Sequence, residues 1–105
     1  MRQLGSFVRV SVGILAGVQS SVGLAGDANR GAELAQQWCA SCHLVSEDQA
    51  TASTEAPPFP TIARRSSDEI SALAGFLADP HPPMPDLSLT REEIRNLLAY
   101  IESLR

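Results

Sequence analysis

From Asp27 onward, apolar residues follow one another with the period of a helix. Ala28, Gly31, Ala35, Trp38 and Cys42 recur at steps of three and four and share one helical face, with Leu34 beside Trp38 on a neighbouring face. Asp27 stands just ahead of this run, where its carboxylate accepts from the exposed amides of a first turn. Ile70, Leu73, Ala74 and Leu77 make a second stripe. Ser66 and Glu69 open it at capping-box spacing and Pro80 closes it. A third stripe, Ile94, Leu97, Leu98, Ile101 and Leu104, follows Thr90 and Glu93, a second capping box. Leu89 and Ile94 occupy the two positions of a hydrophobic staple. No segment alternates convincingly as a strand does, so the class is all-α.

Two segments break the pattern. Residues 44–62 show no period; they carry SEDQATASTEA and then Pro57, Pro58 and Pro60, which remove amide donors and stop a helix. An aperiodic run of this length in a small domain needs something to pack on, or a function. The other segment is N-terminal. Arg2 and Arg9 make a basic start, residues 10–18 (VSVGILAGV) are apolar and uncharged, and Gly23-Leu24-Ala25 has the small-x-small form of a cleavage site. This is the pattern of a secretory signal peptide cut near Ala25, which leaves residues 26–105 as the domain. The alternatives are an uncleaved anchor or a buried helix. The apolar run is too short to span a bilayer comfortably, so no stable membrane anchor is expected.

Composition narrows the function. The chain has 105 residues and a formal net charge of −4. Arg2 and Arg9 lie in the leader and all twelve acidic residues follow it, so the remaining six arginines leave residues 26–105 at −6. There is no lysine. This balance argues against nucleic acid as a partner and is compatible with a basic protein. A domain this small is short of apolar core and often needs a staple. Export implies a periplasmic setting, where cysteines can form disulfides.

Both cysteines lie in WCASCH, with His43 directly after Cys42. A disulfide between Cys39 and Cys42 closes a very small loop and restrains the unfolded chain little. A redox dithiol follows a strand and sits near the start of a helix, where the dipole favours thiolate; here the pair ends a helix. A zinc site with His43 and His81 is not forbidden, but the second paired ligand unit is missing. Cys-x-x-Cys-His is also the attachment signature of c-type haem, and this reading uses every residue of the motif. Cys39 and Cys42 form thioethers to the two vinyl groups, and His43 turns its imidazole onto the iron. Met84, in the proline-stiffened segment HPPMPDLSL, is the candidate for the second axial position; its plain reading is a gap-filling core residue. His81 is the rival ligand and would give a bis-histidine haem of lower potential.

With these residues in view, the chain resembles the class I c-type cytochromes, the small single-haem bacterial type. GDANRGAELAQQWCASCH is similar to the family's N-terminal helix and haem site, and PHPPMPDLSLTREEIRNLLAYIESLR to its methionine loop and C-terminal helix. The resemblance implies a cytochrome c-like fold, with three main helices and a long loop around one covalent haem c. It implies a helix crossing in which Gly31 meets Leu97 and Tyr100. It implies that a proline carbonyl, Pro57 first and Pro58 next, accepts the Nδ1 proton of His43. Phe59, and also Phe76, would pack on the haem, and Arg64 and Arg65 would pair with its propionates. The aromatic that the family often has one turn after the glycine is Ala35 here, with Trp38 and Leu34 as compensating packing.

The expected function is one-electron transfer in the periplasm by a haem with His43 and Met84 as axial ligands. The protein is expected to be a monomer that meets redox protein partners in small, transient encounters and transforms no substrate. One alternative is a small haem subunit dedicated to a single oxidoreductase complex. The other is a haem enzyme or gas sensor with a labile sixth ligand, against which Met84 argues.

Overall fold

The computed structural model describes residues 12–14, 17, 26–52, 55–80 and 82–105. The expected cleavage site at Ala25, most of the leader and His81 lie outside the described residues. Among the described residues there are four α-helices and no strand: α1 (Ala28–Leu34), α2 (Phe59–Ala63), α3 (Ser67–Ala78) and α4 (Arg91–Ser103). A π turn, Ala35–Cys39, continues α1 directly.

The helix ends follow from the capping residues. Asp27 Oδ1 accepts from the amides of Asn29 and Arg30 at 2.9 and 3.2 Å. Ser66 and Glu69 form a complete capping box on α3, and Thr90 and Glu93 another on α4. Asp79 ends α3 outside helical geometry, as the residue before Pro80 must. The short helix α2 is the departure from expectation. Pro60 does not stop a helix; it stands in the first turn of one, where an amide has no intrahelical partner to lose.

α1 packs across α4 at very short range. A Cβ on Gly31 would lie 1.9 Å from the Asn96 carbonyl oxygen and 2.8 Å from Tyr100 Cβ. One on Gly26 would lie 2.0 Å from the Arg95 carbonyl oxygen. Only glycine permits this approach. Asn96 is the one polar residue buried here among those described, and its Oδ1 accepts from the Asp27 amide at 2.8 Å. The crossing is thus locked by a hydrogen bond that the apolar stripe does not foretell.

Ala35, Cys39, Val45, Phe59, Ile62, Ala63, Ile70, Leu97 and Ile101 form one buried cluster. The expected stripe on the first helix is corrected at its C-terminal end. Trp38 is 50% exposed, Cys42 is exposed, and Cys39 is buried instead. The π turn is the cause. The Ala40 amide bonds the Ala35 carbonyl, five residues back, at 3.0 Å. The wider turn centres residue 39 under residue 35 and carries residue 38 out of the stripe, at whose edge a regular helix would keep it.

Candidate functional site

The thiol motif sits where the π turn unwinds. The amides of Cys42 and His43 both reach the Cys39 carbonyl, at 3.1 and 2.8 Å. The chain therefore folds tightly round the first cysteine and delivers His43 beneath the helix end. Cys39 and Cys42 are not joined to each other by a disulfide. Burial pushes the Cys39 thiol up to about 11, so at neutral pH it is uncharged. That disfavours a redox thiolate at Cys39. Among the described residues no group of three or more His, Cys, Asp or Glu side chains is arranged to hold a metal ion.

His43 is oriented from two directions. Its Nδ1 lies 2.7 Å from the Pro57 carbonyl oxygen. A carbonyl only accepts, so Nδ1 carries the proton and the Nε2 lone pair is the one available for coordination. The ring lies 5.3 Å from that of Phe59, tilted by 55°. Phe59 is buried and tilts in turn against Tyr100 at 6.4 Å. The Phe59 amide donates to the Leu44 carbonyl at 2.9 Å, and the Tyr100 hydroxyl donates to the Val45 carbonyl. Burial raises the pKa of that phenol.

The loop between the motif and α2 is held largely by a residue that sequence reasoning passes over. Gln49 Oε1 accepts from the Val45 amide at 2.9 Å. Its Nε2 lies 2.8 Å from the Ala40 carbonyl oxygen, 2.8 Å from that of His43 and 2.9 Å from that of Thr51. A single glutamine in a polar stretch carries no signal of such a role. Arg105 was equally silent: its Nε donates to the Ala63 carbonyl at 2.8 Å and caps the end of α2.

Cys39, Cys42, His43, Pro57 and Phe59 thus gather around the end of the π turn. Met84 stands apart in sequence, half-buried in the segment that joins α3 to α4. Arg64 and Arg65 are exposed. A cavity of about 340 Å³ between α1 and the start of α4 is lined by Arg30, Glu33, Thr90 and Glu92 among others, and includes none of the motif residues.

These features fit covalent haem. A thioether carries no charge, so a sulfur buried as Cys39 is suits that bond better than it suits thiolate chemistry. The imidazole already has the tautomer and orientation of a proximal ligand.

Comparison with known proteins gives the same direction. A family model described as "Cytochrome C oxidase, cbb3-type, subunit III" matches residues 26–101. The chain is 52% identical over 86 residues to a protein named cytochrome c-552 from Bradyrhizobium diazoefficiens, which spans 82% of this chain and 83% of that protein. No solved structure is matched.

Proposed function

The chain belongs to this family of c-type cytochromes, as a small all-α class I member with covalently bound haem c, and on that premise we propose that it is a periplasmic one-electron carrier with His43 and Met84 as axial ligands. It is an electron-transfer protein rather than an enzyme, and redox proteins are its partners. When bound, the haem supplies the Fe(III)/Fe(II) couple.

The chain's own residues have separate tasks in this reading. Cys39 and Cys42 tether the group through thioethers. His43 through Nε2 and Met84 through its thioether would be the side chains that hold the iron. Pro57 holds the Nδ1 proton and thereby fixes the ring plane and strengthens the imidazole as a donor. Phe59 packs on the ring of His43 and, with Tyr100, keeps water from that side. The bond of 2.7 Å between His43 Nδ1 and the Pro57 carbonyl is the observation that carries the assignment.

Residues 1–25 act as the export signal and residues 26–105 as the cytochrome domain. The family match that opens at residue 26 supports this boundary, as does the packing of Gly26 on the Arg95 carbonyl. Among the described residues no helix is long and apolar enough to cross a membrane.

The family description names an oxidase subunit, which favours a second reading: a small haem subunit dedicated to one complex. The similarity to a cytochrome c-552 over most of both chains favours the free carrier. Purification separates the two, because a free carrier is isolated as a soluble monomer that cycles between oxidation states unaided. The absorption spectrum tests the ligation. A low-spin haem in both states that does not bind carbon monoxide readily is expected, and a high-spin reduced form would refute the carrier reading.

A further inference from the structure

We propose that Gln49 is the positioning residue for His43, a role that rests on His43 being an iron ligand. Its side-chain amide clamps the peptide of the thiol motif to the loop that brings Pro57, and so maintains the Nδ1–carbonyl bond.

The four partners of Gln49 lie on both sides of the imidazole residue. The Ala40 and His43 carbonyls belong to the motif, the Val45 amide to the start of the loop, and the Thr51 carbonyl to its middle. Nε2 has two protons for three carbonyls, so one bond is shared. Val45 is fully buried, and its amide therefore requires a partner inside the protein. Gln49 is that partner.

The described part of the loop from Leu44 to Pro57 contains no helix or strand, so no regular ladder sets its register. Pro57 is exposed and has no amide proton with which to anchor itself. The position of its carbonyl comes from contacts on either side: the Phe59 amide, just after it, bonds the Leu44 carbonyl, and Gln49 ties the earlier part of the loop to the motif. Gln49 grips the backbone carbonyl of His43, and Pro57 grips the ring of the same residue. Two points of one loop therefore hold the backbone and the ring of one residue. A glutamate cannot replace the clamp, because an ionised carboxylate accepts but does not donate to carbonyls.

The test compares haem-loaded wild type with Gln49→Ala, with Gln49→Met, which keeps the side-chain length without its polar atoms, and with Ile70→Val as a core control. Hydrogen exchange of the Val45 amide and of the His43 Nδ1 proton is followed by NMR, alongside the midpoint potential and the unfolding midpoint. In both Gln49 variants the Val45 amide is expected to exchange about tenfold faster. The His43 Nδ1 proton is expected to exchange faster as well. The potential is expected to move positive, because a loosened Nδ1 proton leaves a weaker donor to ferric iron. Ile70→Val is expected to lower the unfolding midpoint and leave the potential in place. Unchanged Val45 exchange overturns the clamp. Faster Val45 exchange with unchanged potential and unchanged Nδ1 exchange overturns the positioning role. A wild-type spectrum without histidine ligation overturns the premise instead, and the Val45 readout, which does not involve iron, tells that failure apart.

Discussion

Replacing Gly31 by alanine tests the helix crossing that the rest of the site is built on. The new Cβ would stand 1.9 Å from the Asn96 carbonyl oxygen and 2.6 Å from its carbon. A carbon–oxygen contact needs about 3.3 Å, so the helices have to part by roughly 1.4 Å. Overpacking of this kind costs about 1–3 kcal/mol. The same displacement stretches the bond of 2.8 Å from the Asp27 amide to Asn96 Oδ1. Leaving that buried amide oxygen short of its partner adds about 1–3 kcal/mol. Alanine recovers about 1 kcal/mol through its better helix propensity. The net loss is roughly 1–5 kcal/mol, a large share of the ~5–15 kcal/mol that holds a typical domain together. Urea unfolding of the haem-loaded protein, followed by far-UV circular dichroism, is the assay. With a slope of about 1 kcal/mol per molar for a small domain, the midpoint should fall by about 1 M or more. Gly75→Ala is the matched control. It lies inside α3, is exposed, and its added Cβ would meet nothing within 4 Å. That variant should be more stable by about 0.5–1 kcal/mol. A Gly31 variant that unfolds within about 0.5 M of wild type would refute the close crossing, since it implies less than about 1 kcal/mol lost.

Cys42→Ser should weaken or abolish covalent haem, read as haem that extracts into acidified organic solvent; a normal covalent yield would refute the attachment assignment. Met84→Ala should keep the haem attached but lose the weak sulfur-to-iron charge-transfer band, and an unchanged band would show that another group is the ligand. Tyr100→Phe removes the donor to the Val45 carbonyl and should cost about 1 kcal/mol in urea unfolding. Its covalent haem yield should match wild type, and a loss of haem would mean that the phenol does more than tie the loop.

The parts of this protein that local chemistry decides were legible from residue types alone. Asp27, Ser66 with Glu69 and Thr90 with Glu93 start their helices because a side-chain oxygen three residues from an unpaired amide has few better partners. The pairing of the His43 ring with a proline carbonyl was an expectation from family resemblance, and it falls on Pro57. The failures share a different cause. Pro60 is a helix breaker or a helix starter according to where the helix begins, which nothing nearby announces. Trp38 looked like core because periodicity assumes a regular helix, and one wider turn moves it out. Gln49 and Asn96 matter through amides that become buried only after the chain has folded. A polar residue's partner is a tertiary fact, and hydropathy patterns contain no record of it.

The wide turn between Ala35 and Cys39 also sets a counting rule. Gly31 fixes one point on α4, and Cys39 must face inward eight positions later. The residues between them act as a ruler whose last division is stretched. Deleting Gln36 or Gln37 would remove the extra residue and let the interval close as a regular helix with the first thiol still facing inward. A second deletion would find no such slack and would swing that thiol by about 100°, the step per residue of a regular helix. The wide turn is thus one residue of tolerance in length, while side chains on its outer surface are free to vary.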